Sequence, residues 1–248
     1  QSKTRFLAAA GHDLLQPLNA ARLYTSTLLE KSRKPDTKKL GTNISRSLES
    51  VEEILGSVLA ISRLDTTSPK LSITGFPLQR LFDQIEIEFL PIAQEKKLDF
   101  RLVPTSLWVK SDPAYMRRLL QNLVSNAIKY TNEGKVLVGC RRSGSEVTLI
   151  VADTGIGISE DDEDTIFKEF ERLDAGARLA PGLGLGLSIV DRISKVLGHA
   201  VSVRSIPGKG TLFSIRAPRT MAEYKRLRKS REGTIGGAAL DGLQVICI

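Results

Sequence analysis

Apolar and small residues recur along the start of the chain in alternating steps of four and three: Leu7, Gly11, Leu14, Leu18, Ala21, Thr25 and Leu28. A period near 3.5 is the seam of a helical bundle or coiled coil. The run stops at "KSRKPD", where Pro35 and Asp36 read as a turn and a new helix start. A second seam follows at Ile44, Val51, Ile54, Val58 and Ile61, widened by Leu48 and Leu55. It ends near Asp65. Residues 1–66 therefore form a helical hairpin. Two helices alone bury too little surface to be stable. The simplest completion is a second copy, giving a homodimeric four-helix bundle. Pro17 sits inside the first helix and is expected to bend or loosen it.

From Phe76 the period changes. "PLQRLFDQIEIEFLPIAQEKK" reads as a helix and "LDFRLV" as a strand. "DPAYMRRLLQNLVSNAIKYT" is a helix with Asp112 at its N-cap and Pro113 at its first position. "KVLVGCRR" and "EVTLIVAD" are strands joined by "SGS", and "DTIFKEFERL" reads as a short helix. A glycine-containing loop leads into the helix "LSIVDRISKVLG", closed by Gly198. "AVSVRSI" and "GTLFSIRAP" are strands around "PGKG". The fold class is α+β: a hairpin, a linker at 67–75, and an α/β sandwich over 76–219. A basic linker (220–239) and a strand-like tail (240–248) follow.

Composition narrows the function. The 248 residues are 41% hydrophobic and 26% charged, with a formal net charge of +8. The positive charge is spread along the chain, and its densest cluster, "YKRLRKSR", reads as linker. With no zinc-finger spacing or DNA-reading helix pair, nucleic acid is not the expected partner. No apolar run approaches the roughly 20 residues of a membrane span. Cys140 and Cys247 lie far apart in strand-like runs, which fits a reducing, cytoplasmic setting. This fragment is expected to make no membrane contact, which leaves an upstream membrane anchor open.

Four stretches could carry chemistry. In "VADTGIGIS" a strand ends at Asp153, whose carboxylate can accept from an exocyclic amine such as adenine's. Gly155 and Gly157 would let backbone approach a flat ring. In "APGLGLGLSIV", Gly182, Gly184 and Gly186 precede a helix whose N-terminal amides suit phosphate oxygens. Neither a Rossmann fingerprint nor a Walker A loop is present. In "QNLVSNAIKYT", Asn122 and Asn126 are one turn apart, with Lys129 and Tyr130 beyond. Asparagine is a mediocre helix former, so the pair reads either as a solvated face or as a carbonyl oxygen for magnesium. In "GHDLLQPL", His12 is one of only two histidines and stands beside Asp13. It flanks the seam, so its ring is expected to face solvent. The other histidine, His199, follows the helix-closing glycine and reads as surface or packing.

Together with "IFKEFERL", and taken in chain order, these stretches resemble the histidine-kinase core. "GHDLLQPL" looks like the H-box, "QNLVSNAIKYT" the N-box, "DTGIGI" the G1-box, "IFKEFERL" the F-box and "GLGLGLSIV" the G2-box. The resemblance implies a dimerization and phosphotransfer hairpin followed by a Bergerat-type ATP-binding domain. His12 would be the phosphoacceptor and Asp13 the acid that polarises its ring. Gln16 stands where many family members carry Thr or Asn for phosphatase action, so that activity is in question. Asn122 and Asn126 would lie at the magnesium-phosphate site, with Asn126 the metal ligand. Lys129 would approach phosphates and Tyr130 line the base pocket. Asp153 would bind the adenine amine beside Gly155, Gly157 and Ile158. Phe167 and Phe170 would anchor a lid, and Arg172 would contact the γ-phosphate. Gly182, Leu183, Gly184, Leu185 and Gly186 would form the phosphate-side hinge, and Thr211 would lie near adenine.

The resemblance also implies a reaction. Mg-ATP would phosphorylate His12, and the phosphoryl would pass to a receiver-domain aspartate. The related chaperone and gyrase ATPases carry a water-activating glutamate one turn before the magnesium asparagine. Here that position is Asn122, which favours transfer over hydrolysis. The tail "DGLQVICI" resembles the first strand of a receiver, so a hybrid kinase with its acceptor in the same chain is expected, as is an upstream sensor. The competing expectations are an ATP-responsive dimeric scaffold without phosphotransfer and a phosphatase-dominant module.

Overall fold

The computed structural model describes residues 2–32, 34–66, 70–171 and 184–221. Helices α1 (Ser2–Lys31) and α2 (Pro35–Thr66) form the hairpin that the two seams require. Helix α1 runs through Pro17 without interruption. Proline has no N–H, so the Asp13 carbonyl loses its partner within the helix. Any loosening is local to that missing bond. Thr25 is buried and its Oγ1 donates back to the Ala21 carbonyl at 2.8 Å. A methyl group at Gly41 would sit 2.8 Å from Leu29 Cδ2, so the helices touch closely near the turn. Leu28, Ile44 and Val51 keep 46%, 39% and 43% of their surface exposed in the single chain. The hairpin leaves part of its own seam uncovered.

The second module is built on a five-stranded sheet of order β2-β4-β5-β7-β6. Its strands are β2 (Asp99–Leu102), β4 (Lys135–Ser143), β5 (Glu146–Asp153), β6 (Ala200–Ile206) and β7 (Gly210–Pro218). Only the β2–β4 pair is parallel. Alternation along the strands sends Val136, Val138, Val147, Leu149, Val151, Phe213 and Ile215 to one face, where all are buried. Helices α3 (Leu78–Glu95), α4 (Pro113–Tyr130) and α5 (Gly186–Leu197) supply the other half of this core. Phe82, Ile85, Met116, Leu119, Leu123, Ile189 and Ile193 are each at most 1% exposed.

Two short strands escaped the pattern reading. β1 (Thr74–Pro77) pairs antiparallel with β3 (Trp108–Ser111). Four residues give too few repeats for a period, and Gly75 and Pro77 are poor strand formers. Ordered sheet structure therefore begins at Thr74, two residues before the boundary expected from sequence.

Asp112 caps α4 as its position predicts. Its Oδ1 accepts from the amides of Ala114 and Tyr115 at 2.9 and 3.2 Å. Its Oδ2 accepts from the Ser72 amide at 2.8 Å, which ties the incoming linker to the same carboxylate.

One expected element is absent. "DTIFKEFERL" does not form a helix in its described part. A 3-10 turn at Glu160–Asp162 gives way to isolated turns through Phe170. Phe170 adopts a positive φ of 61°, which no helix continues through. Ile166 is buried in the core and Phe167 packs against it, so the segment still contributes apolar contacts without being helical.

Gly198 ends α5 with φ 66°, and the amide of His199 bonds the Ser194 carbonyl at 2.9 Å. His199 is a packing residue. It is 7% exposed, and its Nε2 lies 2.8 Å from Ser111 Oγ. Burial pushes its pKa down. The two modules touch where Arg118 Nη2 donates to the Gly56 carbonyl at 3.0 Å and where α2 packs on α5.

Candidate functional site

A pocket opens between α4, the turn after β5, and the start of α5. Asp153, at the end of β5, lies on its wall because β5 ends where the sheet meets α4. The carboxylate is locked before any ligand arrives. Its Oδ1 accepts from the Gly155 amide at 2.8 Å and the Thr211 amide at 3.2 Å. Among the described residues Oδ2 has no hydrogen-bond partner. Burial raises the Asp153 pKa, and the two amide bonds oppose that rise.

The turn after Asp153 passes between α4 and the β6–β7 turn with almost no clearance. A side chain at Gly155 would strike the Tyr130 carbonyl and come within 2.9 Å of Asp153 Oδ1. Gly157 adopts φ 71°, and a methyl there would strike the Ile206 carbonyl. Behind the turn, Ser205 Oγ accepts from the Ile158 amide at 2.8 Å and lies 2.9 Å from Thr211 Oγ1. Thr211 is thereby buried beside Asp153 and lines the pocket.

The asparagine pair divides. Asn126 lines the pocket. Asn122 lies outside the lining, and its Nδ2 donates to the Arg118 carbonyl of its own helix at 2.7 Å. Gly186, the first residue of α5, fits between them. A methyl there would lie 3.4 Å from Asn122 Oδ1 and 3.5 Å from Asn126 Nδ2. The start of α5 is thus pressed against the asparagine face of α4. Gly184 lines the pocket at φ 72°, and Leu185 is buried at the N-cap of α5.

Tyr130 lines the pocket, whereas Lys129 lies outside it with Nζ 5.4 Å from the Tyr130 ring centroid. Phe167 packs against the core, and Phe170 is 62% exposed. Neither reaches the lining. Their neighbours Ile166 and Glu171 do. Arg172, Gly182 and Leu183 lie outside the described residues, as do the side chains of His12, Asp13 and Gln16. Pattern reading missed Ala127, Ile156, Leu187 and Phe213, all in the lining. Each neighbours a predicted residue in its motif or one strand position away. Apolar residues there read as core until the cavity is seen.

A carboxylate at a strand end, a helix-borne carboxamide and the start of a helix at Gly186 thus bring an acceptor, a carbonyl oxygen and backbone amides to one pocket. Residues 111–221 match the family described as histidine kinase-, DNA gyrase B- and HSP90-like ATPase. Residues 2–67 match the His Kinase A (phospho-acceptor) domain. The chain belongs to the histidine kinases.

Among curated relatives of this kinase core, the virulence sensor protein BvgS of Bordetella bronchiseptica is 34% identical over 250 residues. The match covers 96% of this chain and 20% of that protein. The sensor histidine kinase RcsC of Salmonella typhimurium is 31% identical, covering 95% of this chain and 25% of that protein. The circadian input-output histidine kinase CikA of Synechococcus elongatus is 31% identical, with 96% and 33% covered. The chain spans a fifth to a third of the length of these relatives. Full-length ShkA, crystallised with AMPPNP, superposes with a TM-score of 0.71 at 29% identity, covering 87% of this chain and 46% of that one. The catalytic domain of histidine kinase ThkA gives 0.52 at 26% identity, covering 60% of this chain and 99% of that domain.

Proposed function

We propose that this kinase core binds Mg-ATP in the pocket beside Asp153, phosphorylates His12, and passes the phosphoryl to a receiver-domain aspartate. The observation that carries the reading is the free Asp153 Oδ2 in a pocket that also presents Asn126 and the start of α5, on a chain with a phospho-acceptor hairpin. The adenine amine donates to Oδ2. The phosphates run toward Gly184, Gly186 and the positive end of α5. ShkA was crystallised with an ATP analogue, which agrees with that occupant.

Magnesium fits the donor set. Among the described residues no cluster of three metal-binding side chains exists. Mg²⁺ keeps several waters and takes phosphate oxygens, so one protein oxygen is enough. Asn126 Oδ1 would hold the ion, which would supply positive charge against the transferring phosphoryl. Asn122, held to its own helix, has no basic atom with which to activate water.

Hairpin geometry supports the acceptor. Leu29 faces Gly41 across the turn. Counting equally back along α1 and forward along α2 sets His12 level with about Val58, two residues from Gly56. Gly56 is where Arg118 touches the hairpin. The ATP module thus meets the hairpin near the height of His12. Neutral imidazole is a competent nucleophile near pH 7. The exposed Leu28, Ile44 and Val51 are covered by a second copy, and a sensor lies upstream. The domain boundaries are 1–66 for the hairpin and 76–219 for the catalytic module, with the β1 strand reaching into the linker at Thr74.

Incubation with γ-labelled ATP tests the reading. Acid-labile, alkali-stable label is expected on the chain and is lost in His12→Gln, while nucleotide binding persists. Bound nucleotide with no label in the unmodified chain makes it a scaffold. Rapid phosphate release that survives His12→Gln makes it an ATPase.

A further inference from the structure

The C-terminal end of α4 is closed in an unusual way. A helix leaves its last four carbonyls without partners inside the helix. Here Thr131 Oγ1 donates to the Ala127 carbonyl at 2.7 Å. The Ile156 amide donates to the Tyr130 carbonyl at 3.3 Å. Lys96 Nζ provides for the rest. It donates to the carbonyls of Ile128, Lys129 and Thr131 at 2.7, 3.1 and 3.0 Å. An ammonium carries three N–H donors, and all three are used. The chain leaves α4 through Thr131 in an extended conformation, with no left-handed glycine to turn the carbonyls inward. Lys96 does that work from another element.

Its location explains why the residue is a lysine. Lys96 is itself the C-cap of α3, so its charge lies at the negative ends of two helices at once. The last turn of α3 holds no other basic residue. Burial lowers the Lys96 pKa, as expected of an ammonium drawn from water onto backbone carbonyls.

The helix end that Lys96 holds is a wall of the pocket. Tyr130 lines it, and the Tyr130 carbonyl fixes Ile156, which lines it too. We infer that Lys96 is a positioning residue for the nucleotide: it fixes the last turn of α4, and through the Tyr130–Ile156 contact it sets the shape of the base end of the pocket. The inference rests on the reading of that pocket as the ATP site. Lys96 does not line the pocket, so it acts on affinity for the base-bearing part of the nucleotide and leaves phosphoryl transfer at saturation alone.

Titration calorimetry of ATP and ADP with Lys96→Met, together with steady-state autophosphorylation, separates the possibilities. The expected result is an about fivefold to tenfold weaker Kd for both nucleotides, a matching rise in KM for ATP, and kcat within about twofold. Lys96→Arg, which keeps charge and donors, recovers most of the affinity. Lys96→Gln retains two N–H donors and carries the same test where the methionine variant does not fold. Ile85→Val, which trims the α3 core away from the helix end, controls for general destabilisation and leaves Kd unchanged. Unchanged affinity in Lys96→Met overturns the inference. So does a loss confined to ATP, which marks a charge effect on the γ-phosphate, or an equal loss in Ile85→Val. An unmodified chain that binds neither nucleotide refutes the reading of the pocket itself.

Discussion

Asp153→Asn is the sharpest test of how the pocket recognises a base. The substitution exchanges one carboxylate oxygen for an amide nitrogen and removes a charge. Oδ1 remains and keeps its bonds from Gly155 and Thr211. Those bonds therefore fix which atom changes: the pocket side gains Nδ2 where Oδ2 had been. An adenine amine now meets a donor. The charge-assisted hydrogen bond is lost, at about 1.5–3 kcal/mol, and a donor is left unpaired in a partly dry site, at about 1–3 kcal/mol. The effects overlap, so about 3 kcal/mol in all is reasonable. At about 1.4 kcal/mol per tenfold, ATP binds on the order of a hundredfold more weakly.

The unliganded protein responds in the opposite sense. Burial raises the Asp153 pKa, so ionising the folded carboxylate is costlier than ionising the unfolded one. A carboxyl raised in this way contributes stability that is fully present below its unfolded pKa and lost as pH climbs through its folded pKa. At neutral pH that contribution is gone, and asparagine carries no ionisation cost. The melting temperature of Asp153→Asn is therefore equal to or above that of the unmodified chain at pH 7, and the advantage shrinks in acid. ATP affinity of the unmodified chain falls as pH drops through the raised pKa, starting at a higher pH than an ordinary aspartate would give. Calorimetry across pH and thermal unfolding measure both. If Asp153→Asn binds ATP within about threefold of the unmodified chain, or unfolds at neutral pH, the assignment of Oδ1 to the backbone and Oδ2 to the base is refuted.

Two further substitutions probe the scaffold. Gly157→Ala places a Cβ on a left-handed residue and against the Ile206 carbonyl. The conformational term alone is about 1–2 kcal/mol, so scanning calorimetry should show the catalytic module melting at least several degrees lower, with ATP affinity reduced. Asp112→Ala removes the α4 cap at about 1 kcal/mol and also frees the Ser72 amide. Hydrogen exchange at Ser72 should quicken along with the fall in melting temperature, whereas a cap with no role in the linker would change only the latter.

Legibility in the sequence followed the range of the interactions. The hairpin, the sandwich and α4 with its Asp112 cap rest on periods and local side-chain-to-backbone bonds, and they were readable. So was the closure of α5 by Gly198. The strands β1 and β3 were not, because four residues carry no period. The expected helix at "DTIFKEFERL" failed because local propensity yielded to tertiary context: the described part runs as isolated turns, and Phe170 leaves the helical region at φ 61°. In the site, Asp153, Asn126, Tyr130 and Thr211, which the motif resemblance singled out, line the pocket. The resemblance already separated Asn126, as metal ligand, from Asn122; spacing alone did not, because both occupy one face of α4. Lys96 was invisible for a different reason. Its three acceptors lie 32 to 35 residues away, and nothing in the spacing marks a lysine at one helix end as the cap of another.

That last point bears on how the base end of the pocket is kept ready. Free carboxylates and aromatic side chains lose rotamer freedom when a ligand orders them, at about 0.5–1.5 kcal/mol each. Asp153 has already lost that freedom to two backbone amides, one from its own turn and one from β7. The backbone of Tyr130 is likewise committed, to Ile156 on one side and, through its neighbours' carbonyls, to Lys96 on the other. Apart from the Gly155 bond within the turn, these restraints tie the pocket wall to the α/β core, and none involves phosphate. Recognition of the base should therefore be nearly independent of the phosphates' charge, with ADP retaining most of the binding that the base supplies. The phosphates would then chiefly decide whether the bound nucleotide can react.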